Sequence, residues 1–191
     1  FKRLYVSELF PAPSGDEPEW FEMHNGGTVA VDLTEIVVHN GERSFTFAEP
    51  HVISSGEFCV VTQSHAAFIQ NYGVLRSCIL ELNQWGALSN SGGTIQLKNS
   101  IGYAIDSIGW TSDDVVTDVA LKRNIGEGAW EVDPLFKKGT PGVQLTNIPI
   151  VNSVERGVAT MRLSNYRPEL LFTISIAPGA NFSYEIYDLS G

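Results

Sequence analysis

Carboxylates are the one abundant reactive type in this sequence. Asp16, Glu17 and Glu19 cluster in a loop with Pro and Gly, and Asp113, Asp114 and Asp118 form a second group. Calcium takes roughly six to eight oxygens from carboxylates and loop carbonyls, which makes Asp16, Glu19, Asp113 and Asp114 the candidate ligands for a bound calcium. The EF-hand spacing is absent, and the plain alternative is a pair of solvated acidic loops. Spacing alone does not rule out a glycosidase-style carboxylate pair, but nothing marks a cleft for a sugar.

Other chemistries fare worse. His24, His39, His51 and His65 are too far apart for a motif such as His-x-x-x-His. No Gly-x-Ser-x-Gly elbow is present, and the Ser54-Ser55-Gly56 and Ser89-Asn90-Ser91-Gly92 runs read as turns. Cys59 and Cys78 lack activating neighbours and form no Cys-x-x-Cys pair. They are either buried thiols or one disulfide, whose loop the chain-entropy account values at roughly 3 kcal/mol. Among Trp20, Trp85, Trp110 and Trp130, Trp85 in a turn is the candidate sugar-stacking residue. The stretch LSNSGGTIQL, residues 88–97, is glycine-rich, yet a strand pattern follows it and no Lys sits in the loop. A phosphate cradle needs converging backbone N–H groups, normally at a helix N-terminus. The loop therefore reads as a turn. Asn181-Phe182-Ser183 fits a glycosylation acceptor, a triplet expected by chance.

The elements that would position these residues are strands. Val, Ile, Thr, Phe, Tyr and Trp recur in short runs of period two, such as TVAVDL, EFCVVTQ, TIQLKN and AIDSIGW. Asn40-Gly41 is a hairpin signal, both residues tolerating positive φ. One helix is expected, SHAAFIQNYG, with Ser64 as its N-cap and Gly73 ending it. Three further strands, VATMRLSNY, ELLFTISI and NFSYEIYDLSG, follow Gly139-Thr140-Pro141-Gly142. Many short strands with frequent turns read as an all-β sandwich or barrel.

Bulk properties narrow the class. The 191 residues are enough for one good core plus part of another domain. No apolar run approaches the roughly 20 residues of a membrane span. The formal charge of −10 and the absence of any basic cluster beyond pairs argue against a nucleic-acid partner. Residue 1 is Phe, and no basic-then-apolar segment opens the chain, as expected of a mature or excised fragment.

Four blocks in order, GDEPEWFEMHNGGTVAVDLTE, HVISSGEFCVVTQS, LSNSGGTIQLKNSIGYAIDSIGW and GAWEVDPLFKKGTPGVQLTN, resemble the lamin tail domain of the bacterial type, an immunoglobulin-like sandwich. The first resembles its opening strand, turn and Val-Asp-Leu corner, and the second its next turn and strand. The third is similar to its most recognisable block, and the fourth to its exit. Departures are His39-Asn40-Gly41 at the corner, an insertion-like acidic stretch at 112–118, and Gly93 where Asp is common. The tail, ISIAPGANFSYEIYDLSG, resembles the start of a bacterial secretion-associated C-terminal sandwich.

The expected architecture is an all-β, immunoglobulin-like β-sandwich over residues 1–147 with one short helix. A strand-rich C-terminal segment, 148–191, would extend it or begin a second sandwich. The resemblance implies no enzyme. It implies an interaction or attachment module, extracellular or on the cell surface, with a protein or cell-surface ligand. The alternative is an accessory calcium- or glycan-binding domain of a secreted hydrolase whose catalytic part lies elsewhere.

Overall fold

The computed structural model describes residues 4–73, 78–82, 86–124, 129–132, 137–142, 148–150 and 159–161. The chain divides into two compact units, Phe1–Val143 and Gln144–Gly191. The first unit carries β1 (Leu4–Phe10), β2 (Trp20–Asn25), β3 (Val31–Asp32), β4 (Ile36–Asn40), β5 (Arg43–Thr46), β6 (Val52–Ile53) and β7 (Phe58–Thr62). After α1 (His65–Tyr72) come β8 (Cys78–Glu81), β9 (Gly92–Asn99), β10 (Ala104–Thr111), β11 (Leu121–Asn124) and β12 (Ala129–Glu131). One sheet has the order β12-β11-β1-β2-β7-β8 and the other β10-β9-β4-β5, with β3 and β6 as a small separate ladder. This is an immunoglobulin-like β-sandwich.

Alternation builds the smaller sheet. In β9, Ile95 and Leu97 are buried between less buried Thr94, Gln96 and Lys98; in β10, Asp106, Ile108 and Trp110 are buried between less buried neighbours. Side chains of period two fall on one face, so these strands are apolar on the inner face only. The core joins them to Val6, Leu9, Phe21, Met23, Val61 and Leu121 of the larger sheet.

β1 and β2 depart from alternation because both their faces are covered. β2 is buried at all six positions. On its outer side Trp20 meets Phe10, Phe68 and Tyr72 at ring-centroid distances of 5.9, 6.2 and 5.8 Å. Phe68 and Tyr72 are four apart on α1, hence on one helical face, and they stack 4.7 Å apart. Ser64 caps α1 by accepting from the Ala67 N–H, and Gly73, at φ +77°, ends it. The helix lies in the crossover that a parallel β7–β8 pair requires.

The hairpin at Asn40-Gly41 is shifted from its expected place. Asn40 pairs with Arg43, leaving Gly41 and Glu42 as the two loop residues. Gly41, at φ +60°, supplies the positive φ at the first loop position, the requirement of a type II′ turn.

In the second unit β13 (Ile148–Ile150) pairs antiparallel with β14 (Ala159–Met161). The strands expected at 169–176 and 181–191, and the Asn181 triplet, lie outside the described residues.

Candidate functional site

The two acidic loops meet at one end of the sandwich. Asp118 holds Ser14 by accepting from its backbone N–H at 2.9 Å and its hydroxyl at 2.7 Å. Those two bonds hold the Asp118 carboxyl below the ordinary aspartate range. Asp114 is turned onto its own loop, accepting from the Thr111 N–H at 2.8 Å and hydroxyl at 2.9 Å. Glu19 points elsewhere: its Oε2 accepts from the Leu88 N–H at 2.6 Å and from Gln63 Nε2 at 3.1 Å. Burial pushes its pKa up to about 7, against the opposing Leu88 N–H bond. Asp16 and Asp113 are exposed. Among the described residues no three His, Cys, Asp or Glu side chains gather as a metal would need.

Cys59 and Cys78 are register partners across β7 and β8 and form a disulfide, their Cα atoms 4.4 Å apart. The bond fastens the edge strand β8 to the sheet. Trp85 lies outside the described residues. Trp110 and Trp130 pack and donate, Trp110 to Ser89 O at 2.8 Å and Trp130 to Gly109 O at 2.7 Å. The LSNSGG loop is built around Trp110. A Cβ on Gly93 would lie 2.6 Å from its ring, and Gly92 turns at φ +106°.

The histidines do not converge. His24 is buried, stacked on Phe58 at 4.2 Å. Its Nε2 lies 3.3 Å from Gly56 O, which can only accept, so Nδ1 is left to accept from the Tyr5 hydroxyl at 2.5 Å. Burial lowers its pKa. His65 contributes its backbone N–H to Glu81.

Two buried carboxylates escape a sequence reading. Glu8 on β1 and Glu22 on β2 are register partners, both buried. Glu8 accepts from the Thr140 N–H at 2.8 Å and the Thr140 hydroxyl at 2.6 Å. Glu22 accepts from the Ser7 hydroxyl at 2.5 Å and from the Gly142 N–H. Burial and the neighbouring Glu8 raise the Glu22 pKa well above normal, against the Ser7 and Gly142 bonds and Lys122. A third buried acid, Asp106, accepts from the Val6 N–H at 3.0 Å and from Arg123 at 2.7 Å, where register shifts in β1 and β10 face each other. Sequence offers one signal for these: Glu8, Glu22 and Asp106 each stand within a strand beside large apolar residues.

The opposite end of the sandwich carries exposed apolar side chains. Asn25, Ile36, Phe58, Asn99 and Ala104 all lie where their strands reach that end, as the pairings Leu4–Asn25, His24–Phe58 and Ile36–Asn99 require. There the β9–β10 turn presents Ile101 and Tyr103, 76% and 71% exposed. Asn99 Oδ1 accepts the N–H groups of both, at 3.2 and 2.8 Å, and Gly102 turns at φ +91°. Val29, between β2 and β3, and Val52, on β6, are also exposed.

A two-sheet body whose buried acids are spent on its own backbone and side chains defines an immunoglobulin-like domain. The family model of the lamin tail domain matches residues 1–112, and the chain belongs to that family, whose domains are generally non-catalytic interaction modules. Comparison with curated proteins returns no match. No helix of the described residues is long and apolar enough to cross a membrane.

Proposed function

We propose that this chain is a non-catalytic attachment module of a secreted or cell-surface bacterial protein, and that it engages a protein partner through the Ile101–Tyr103 tip. The observation that carries the reading is this pair of exposed apolar side chains on a turn fixed by Asn99. A preorganised apolar anchor loses little conformational freedom on binding. An extracellular setting is supported by the Cys59–Cys78 disulfide, since such bonds persist in oxidising compartments.

The test titrates fluorescently labelled chain onto the source cells. An Ile101→Ser/Tyr103→Ser variant of unchanged Tm is expected to bind at least about tenfold more weakly, because loss of central apolar anchors exceeds 1.4 kcal/mol. Equal binding removes the tip from the reading. No binding by the wild type removes attachment altogether.

The second reading, an accessory calcium- or glycan-binding domain of a secreted hydrolase, draws support from the Ser14–Asp118 bonds that bring the loops of Asp16 and Asp113–Asp114 together. It requires millimolar calcium to raise Tm and Asp16→Ala or Asp114→Ala to abolish the rise. For a glycan it requires Trp85→Ala to lose binding on an array.

A further inference from the structure

The carboxylate pair is placed where the first unit ends. Thr140 and Gly142 precede the boundary at Val143 by only a few residues, and both give their N–H groups to adjacent glutamates on β1 and β2. Gly139 fits against Trp20: a Cβ there would lie 2.8 Å from the indole and 3.0 Å from Glu8 Oε2. We propose that Glu8 and Glu22 form a proton-linked latch that holds the Gly139–Gly142 segment on the sheet and releases it when both carboxylates are ionised.

Two like charges on neighbouring strands, out of water, repel each other and lose solvation. One shared negative charge can satisfy the N–H groups of Thr140 and Gly142; two cannot be held without cost. Lys122 on β11 is the register partner of Glu8 and is itself opposed by Glu131 on β12. Tyr5 on β1 and His24 on β2 bond to each other. Val60 of β7 faces Glu22 and carries no charge. On the latched segment's own side, Lys138 is paired with Glu17 at 2.5 Å. Lys122 therefore faces two carboxylates, with Glu131 drawing on the same charge.

The direction follows from linkage. Glu22 is raised in the docked state by burial first and by Glu8 second. Undocking rehydrates it and lets it ionise more readily, so docking takes up a proton. Docking is complete below the undocked pKa and is lost as pH rises through the docked one.

The test is amide exchange in the full chain between about pH 5 and 9.5, reading Thr140 and Gly142 against Ile95 and Leu97 of β9 at each pH. The wild type is expected to lose protection at the latch by at least tenfold relative to β9, since one pKa unit is tenfold in equilibrium. Glu22→Gln keeps the shape without the ionisation and is expected to give a flat ratio; Glu8→Gln removes the neighbouring charge but leaves Glu22 buried, so its loss is expected to be smaller than the wild type's. If one variant loses β9 protection and so fails to fold, the other decides. A constant wild-type ratio, or a loss that a folded variant retains in full, overturns the latch.

Discussion

Glu19 shows how a single acid in this fold converts pH into stability. Its pKa stands at about 7 when folded, raised mainly by burial. A carboxyl raised on folding favours the folded state while protonated, so its contribution is whole below about pH 4.5 and fades as pH rises through 7. Glu19→Gln keeps an acceptor for the Leu88 N–H without the charge. It is expected to flatten the fall in unfolding free energy between pH 5 and 8 by on the order of 1 kcal/mol, allowing for solvent screening of a half-buried group. Denaturant melts of both proteins at the two pH values check this; an unchanged slope contradicts it. Gly93 is a steric case at the same scale. Its missing Cβ leaves room for the Trp110 ring, which the Ser89 carbonyl anchors. Gly93→Ala should cost about 1–3 kcal/mol through overpacking, read as a lower denaturation midpoint with Trp110 fluorescence altered.

At the scale of elements, β8 is a short edge strand of the large sheet. It has four residues, pairs on one side only, and runs parallel to β7. The disulfide closes a separation of 19 residues that contains α1. Replacing both cysteines by Ser is expected to destabilise the domain by about 3 kcal/mol and to speed exchange at Ile79 and Leu80 before the rest of the sheet. Uniform exchange across the sheet would show that the bond does not pin the edge. Legibility also divides by element. β9, β10 and α1 could be read directly, because each has one apolar face or a plain cap, and the sequence shows both. β1 and β2 were harder: their outer faces are covered by Phe68, Tyr72 and Gly139–Gly142, segments far along the chain. Period two does not distinguish a parallel neighbour from an antiparallel one, so the direction of β8 was hidden. Glu8 and Glu22 are covered by Thr140 and Gly142, which return from more than a hundred residues along the chain. Of the candidate calcium ligands, the loop of Asp16 and that of Asp113 and Asp114 are brought together, while Glu19 is drawn to Leu88 and Gln63. Nothing in local sequence foretells that choice.

For the whole molecule the question is where the folding unit stops. The family match ends at residue 112, yet β1 reaches its full set of neighbours only with β11, which pairs along its other edge. Besides Glu17, which pairs with Lys138, three buried acids depend on residues beyond 112: Asp106 on Arg123, Glu8 on Thr140, and Glu22 on Gly142. A buried carboxylate stripped of its partner costs several kcal/mol, as breaking a buried ion pair does, and a marginally stable domain cannot absorb three such losses. A chain cut to residues 1–112 is therefore expected not to fold cooperatively, whereas one cut to 1–143 keeps all three partners and should melt within a few degrees of the full chain. Calorimetry of the two shortened chains decides the matter. Cooperative melting of 1–112 near the full-length Tm would mean that β11 and the segment over Glu8 and Glu22 are additions to the sandwich and not part of what holds it together.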